Sequence, residues 1–140
     1  LRAETISGER LEACPQCEGE FSPHETLRRL LSLHASPPST RAHYVRPSPL
    51  SDPVRYRKCP ACGDVMARRN FLETSGVIID VCTLDGVWFD RGELSTLFAF
   101  VESGAAARAE HDIAKRAEAT RRLDAFERDL STVLWMSTRR

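Results

Sequence analysis

The sequence predicts a small α+β protein. It comprises a β-hairpin tied by a metal and followed by a helix, a partial copy of that unit before it, and a long C-terminal helix. Three observations predict it. Tight turns at Cys59–Gly63 and Cys82–Gly86 bracket an alternating strand–turn–strand pattern. The Cys82-to-Leu94 pattern recurs from Cys14 to Leu27 with one residue inserted. Residues 105–136 contain neither proline nor glycine.

Composition limits the alternatives. A chain of 140 residues holds one ordinary domain or two small ones. Aromatics are 7% and charged residues 29%, which argues against one large apolar core. Small modules of this kind lean on a metal or on disulfides. Five cysteines, odd in number and partly at Cys-x-x-Cys spacing, fit metal ligation in a reducing compartment better than a disulfide framework. A cytoplasmic location is therefore expected. The 20 basic and 20 acidic residues cancel, removing the simplest argument for non-specific nucleic-acid binding. No apolar run approaches the ~20 residues that span a bilayer, and no signal-peptide pattern is present, so no membrane partner is expected for this segment. A start at Leu1 rather than methionine raises the expectation of a shortened chain.

Each element follows in order. Gly8 marks a turn in the mixed stretch 1–13. Leu27, Leu30, Leu31 and His34 recur at spacings of three and four, predicting a helix from Pro23 to about Ser36. Ser22 is its expected N-cap, with Glu25 three residues on and Pro23 at the first helical position. Residues 36–54, with prolines 37, 38, 47, 49 and 53 among serines, read as a linker. Residues 55–63 predict a short strand entering a tight turn. Val65 to Glu73 and Val77 to Val81 predict two more strands, joined by Thr74-Ser75-Gly76. After the Cys82–Gly86 turn come Val87-Trp88-Phe89. Asp90 then starts a helix, with Glu93 as capping partner, an apolar face of Leu94, Leu97, Phe98 and Val101, and Gly104 as stop. The expected organisation is a partial unit over 1–35, a linker over 36–54, a hairpin plus helix over 55–103, and a long amphipathic helix over 104–140. In that last helix Leu123, Phe126, Leu130 and Val133 follow a three–four–three spacing, with Ile113 and Leu134 also apolar. This is a coiled-coil seam of under two heptads, able to dock on the hairpin or on another chain.

The chemistry lies in the turns. Zinc prefers thiolates in a tetrahedral shell, and two ligands on one tight turn reach a single ion at Cys-x-x-Cys spacing. Cys59-Pro60-Ala61-Cys62-Gly63 has that form, and its glycine permits the left-handed backbone that brings amide protons to sulfur. Twenty residues after Cys62, Cys82-Thr83-Leu84-Asp85-Gly86 keeps the spacing but ends in a carboxylate. Asp85 is either the fourth ligand or only a turn residue beside an incomplete site. A catalytic zinc of the deaminase type would need a His/Cys-x-Glu partner motif, which is missing. No triad, phosphate-cradling loop or paired acid stands out, so no enzymatic role is expected.

The run CPACG…VIIDVCTLDGVWFDRGELSTL resembles the bacterial zinc-ribbon family named for its likeness to transcription factor IIB. Cys59, Pro60, Cys62, Gly63, Asp80, Cys82, Gly86, Trp88, Asp90, Glu93 and Leu94 carry the resemblance, over residues 57 to about 101. It implies a zinc-binding ribbon followed by a short helix, and leaves activity open. Asp85 departs from the cysteine or histidine usual there.

In the earlier copy, Cys17 aligns with Asp85, Phe21 with Trp88 and Leu27 with Leu94. Its own front turn would lie upstream of Leu1. Cys14 and Cys17 either belong to a shortened site or take other partners, with His24, His34 and His43 nearby; pooling them with Cys59 and Cys62 would orphan Cys82. Arg55, Arg57, Lys58, Arg68 and Arg69 crowd the ribbon beside Tyr56, Phe71, Trp88 and Phe89. Basic groups among aromatics suit a nucleic-acid surface. Core packing of Phe71 and Trp88 under solvated arginines explains them equally, and zero net charge favours it. The expected role is structural zinc binding in protein interaction or scaffolding, with self-association through the 105–136 helix. The alternative is a nucleic-acid-binding regulator.

Overall fold

The computed structural model describes residues 1–48 and 56–137, with side chains to residue 128. Pro49, Pro53 and Arg55, and the side chains of Leu130, Val133 and Leu134, lie outside the described residues. The chain has a small α+β fold, as the sequence predicts. Strands β1 (Arg2–Ile6), β2 (Glu9–Ala13) and β3 (Glu20–Pro23) lead into helix α1 (His24–His34). Strands β4 (Ala67–Asn70), β5 (Ile78–Val81) and β6 (Gly86–Phe89) lead into α2 (Glu93–Glu102), and α3 runs over Ala105–Ser137.

The six strands make one antiparallel sheet in the order β1-β2-β3-β6-β5-β4. Two β-β-β-α runs therefore meet edge to edge at β3 and β6, where Phe21 pairs with Trp88 and Pro23 with Gly86. That junction demands glycine. A Cβ on Gly86 would lie 2.2 Å from the Ser22 carbonyl oxygen, and one on Gly19 2.3 Å from the Trp88 ring.

Alternation on β6 divides the core between the sheet's two faces. Val87 and Phe89 join Leu11, Val77 and Ile79 under Leu27 and Leu30 of α1 and Leu94 and Leu97 of α2. Trp88 faces the other way, with Phe21, Met66, Cys59 and Cys82. Segments 1–34 and 58–102 thus share a sheet and a core. The first compact unit extends to Arg108.

The structure departs from the sequence expectation at several points. Strands β1 and β2 occupy the stretch read as mixed, joined by Ser7 and Gly8, both at positive φ as a two-residue hairpin turn requires. Ser22 is not a helix cap. It is fully buried within β3, paired with Val87, and α1 begins at His24 with no side-chain cap. The strand expected over 55–63 reduces, among the described residues, to a single bridge between Lys58 and Val65. The next strand stops at Asn70, because Leu72 and Glu73 take positive φ in a loop that Asn70 holds through Ser75 Oγ and the Gly76 amide. Helix α2 starts at Glu93 behind a left-handed Gly92, not at Asp90, although the Asp90 amide does donate to the Glu93 carboxylate at 2.8 Å. Phe100, unnoticed in the sequence, is buried, while Phe98 stacks on His34 at 4.0 Å.

Residues 36–48, the described part of the proline-rich segment, hold no helix or strand, yet the Tyr44 ring meets the buried Phe100 ring edge-on at 5.1 Å. The Tyr44 hydroxyl donates to the Ser75 carbonyl at 2.6 Å, and Arg108 donates to the carbonyls of Pro38 and Thr40. Gly104 takes φ +74 where α2 ends. The second unit, from Ala109, is helical to Ser137, with Leu123 and Phe126 exposed. Among the described residues no helix is long and apolar enough to cross a membrane.

Candidate metal centre

Two hydrogen-bonded turns build the site. At the first, the Cys59 amide donates to the Asp64 carbonyl at 2.7 Å and the Gly63 amide returns to the Cys59 carbonyl at 2.9 Å, with Gly63 at φ +82. The second closes through the Cys82 amide on the Gly86 carbonyl at 2.8 Å. Backbone amides of Asp85 and Leu84 point at the Cys82 sulfur and hold its thiol below the ordinary range.

The turns bring Cys59, Cys62, Cys82 and Asp85 together, with one donor atom from each within 4.8 Å of all the others. Cys62 Sγ lies 3.7 Å from Cys82 Sγ, and Asp85 Oδ2 lies 3.4 Å from Cys59 Sγ and 3.3 Å from Cys82 Sγ. Sulfurs bound to tetrahedral zinc at about 2.3 Å stand about 3.8 Å apart, so these separations suit one such ion. The electrostatics agree. Asp85, receiving hydrogen bonds from Cys62, Cys82 and Cys59, is held below its usual range, and beside it the Cys62 thiol is pushed up to about 12. Three thiols and a carboxylate are this crowded only with protons between them, and a divalent cation in their midst would replace those protons. The Asp85 carboxylate thus stands within the same donor cluster as the three sulfurs.

The surroundings fix the cluster. Cys59 and Cys82 are buried against Trp88, Phe21 and Met66. His24, from the N-terminal run, reaches across the sheet junction: its Nε2 lies 2.7 Å from the Cys82 carbonyl oxygen and its amide donates to the Asp85 carbonyl. The sequence offered His24 only as a partner for Cys14 and Cys17. Its role here needs the β3–β6 pairing, which no local motif announces. Neither His24 nor His34, which pairs with Glu102, approaches those cysteines as a metal ligand, and His43 is exposed.

Cys14 and Cys17 stand apart from the four-donor cluster, on a turn of their own. The basic residues separate as well. The Arg57 guanidinium lies over the Trp88 ring at 4.6 Å and pairs with Asp90, which also accepts from the Trp88 indole at 3.0 Å. Arg68 is opposite buried Asp80 in the sheet register. Lys58 and Arg69 are exposed. Burial pushes the Asp80 carboxyl up, and burial above all lifts Glu93 to about 7.

A ribbon of antiparallel strands carrying two metal-binding turns defines a class, the zinc ribbons. Residues 58–99 match the zinc-ribbon TFIIB family, described as a transcription factor zinc-finger. That segment is a ribbon of this family, as the resemblance implied. Neither a curated protein nor a solved structure matches the chain.

Proposed function

We propose that residues 58–102 form a structural zinc module that presents surfaces to a protein partner. The observation that carries this reading is the convergence of four donors from two turns onto one point beneath the sheet. Four protein donors fill a tetrahedral shell, leaving no open position for a substrate, which is the arrangement of structural rather than catalytic zinc. The ion ties together turns that are otherwise linked through a thin layer of core.

The outer surface favours protein over nucleic acid. Leu84 at the tip of the second turn, Val65 after the first and Tyr56 before it are all more than half exposed. Of the described basic residues in the strip, Arg57 is committed to Asp90 and Trp88, and Arg68 lies against Asp80. Apolar tips beside cations of which two are engaged and two, Lys58 and Arg69, are exposed suit a partner that buries carbon more than one that neutralises phosphate. On α3, Leu123 and Phe126 supply a route to self-association.

The test is binding of the zinc-loaded chain to duplex and single-stranded nucleic acid over a range of salt. A salt-insensitive absence of binding is expected. A steep salt slope that Lys58→Ala and Arg69→Ala reduce would favour the nucleic-acid regulator instead.

A further inference from the structure

A cavity of about 360 Å³ opens where α2 begins, and none of the four metal donors lines it. Buried Val77, Ile78 of β5 and Pro47 give it carbon, so that most of its lining is apolar. Two local features shape it. The chain around residues 44–47 is strapped to the loop between β4 and β5. There the Tyr44 hydroxyl donates to the Ser75 carbonyl, and a Cβ on Gly76 would lie 2.6 Å from Arg46 Cγ. At the helix start, a Cβ on Gly92 would meet nothing within 4 Å, so the space beside α2 stays open.

Most polar side chains around the cavity are already engaged. Asn70 accepts from Ser75 Oγ and the Gly76 amide, and donates to the Glu73 carbonyl. Thr96 donates to the Gly92 carbonyl at 2.8 Å. Glu93 accepts from the Asp90 amide, and with its carboxyl lifted to about 7 by burial it carries less than a full negative charge near neutrality. Arg91 pairs with Glu18 at 2.8 Å, with both side chains exposed. Arg46 differs. Its stem is pinned across Gly76, yet its guanidinium has no hydrogen bond or ion pair among the described residues. A guanidinium held in place and left unpaired is ready to take a carboxylate. Helix α2 begins without a side-chain cap, so its dipole acts in the same sense.

We propose that this cavity binds a small organic carboxylate with an apolar body, its head on Arg46 and its carbon against Val77, Ile78 and Pro47. The volume lies at the lower end of the range for ligand pockets, which suits a short acyl chain or a single ring. A nucleotide fits poorly, because its phosphates need several free cations and the lining offers chiefly carbon. This site is independent of the Cys59 site and of any protein partner, and can fail without them.

The test is a nitrogen–proton NMR titration of the zinc-loaded chain with octanoate, butyrate and 1-octanol as probes. Octanoate should bind once per chain and shift the amides of residues 76–78 and 92–96. Butyrate, with the same head and less carbon, should bind roughly tenfold or more weakly. Arg46→Met, which keeps a stem over Gly76, should weaken octanoate about tenfold and leave 1-octanol unchanged. Arg46 is exposed, so its replacement should alter neither zinc content nor melting temperature. Octanoate that fails to saturate, or that shifts residues 65 and 84 or the α3 amides instead, overturns the proposal. Butyrate binding as tightly as octanoate overturns it too, since a surface cation alone would then explain the contact. So does octanoate binding that Arg46→Met leaves intact. The probe series on the parent chain needs no substitution, so a misfolded variant cannot obscure the outcome.

Discussion

Residues 1–34 and residues 58–102 run through the same succession of three antiparallel strands and a helix, yet they reach stability by different means. The N-terminal run rests on apolar packing: Leu11, Leu27 and Leu30 are all buried, and its hairpin closes through the Ser7–Gly8 turn. The second run has a long loop between β4 and β5 and, among the described residues, a single bridge, Lys58–Val65, ahead of β4. It compensates with four donors around one point. A donor-lined turn and a tight hairpin are thus alternative ways to anchor the same strands. They meet at β3 and β6, where His24 from one run supports the Cys82–Asp85 turn of the other.

That contrast can be broken most forcefully by removing the ion. Chelation of the zinc-loaded chain should strip hydrogen-exchange protection first from residues 58–66 and 82–89 and last from the β1–β2 hairpin, because structural zinc binding is folding free energy for the turns it joins. Uniform loss across the sheet would mean that the runs are not anchored differently. Next in size, Gly86→Ala attacks the seam. With a Cβ placed 2.2 Å from the Ser22 carbonyl oxygen, denaturant unfolding should show a loss of about 3 kcal/mol or more. Asp85→Ala should weaken zinc by roughly tenfold or more in competition with a chelator while Asp85→Cys retains it, since only the latter restores a fourth donor. His24→Ala should cost about 1 kcal/mol in thermal denaturation, the worth of one polar contact at the Cys82 carbonyl.

The smallest expected effect depends on pH. Folded Glu93 titrates at about 7 against an ordinary 4.5, chiefly because it is buried. The folded state keeps the proton through that interval, so this group's contribution falls as pH rises from 4.5 through 7 and stays unfavourable above. Glu93→Gln should therefore match the parent near pH 4 and exceed it by on the order of 1 kcal/mol at pH 8, a figure kept low because Glu93 is partly solvated. A variant that loses stability equally at both pH values would show the Asp90 cap, rather than the buried charge, to dominate.

Much of this was legible in the sequence. The Cys59–Gly63 and Cys82–Gly86 turns, the strand pair between them and the apolar stripe of α2 follow from spacing alone, because a metal turn is a local arrangement with fixed chemistry. Strands β1 and β2 were harder to see. Only Leu11 and Ala13 alternate inward, and the Ser7-Gly8 hairpin signal is shorter than the patterns that mark longer strands. Ser22 had the look of a cap because residues around Pro23 carry helix-start chemistry, but pairing with Val87 outweighs a single capping bond. The partnership of His24 with Cys82 spans 58 residues and has no local signature. Arg57 has the sequence setting of a phosphate contact, but its guanidinium is engaged by Trp88 and Asp90.

The central claim is that one ion joins the two turns through three sulfurs and a carboxylate. X-ray absorption at the zinc edge of the Cys14→Ser/Cys17→Ser chain tests it most directly. The expected shell is one zinc per chain with three sulfurs at about 2.3 Å and one oxygen at about 2.0 Å. A chain that folds with no zinc, or a shell without the sulfurs of Cys59, Cys62 and Cys82, would contradict it.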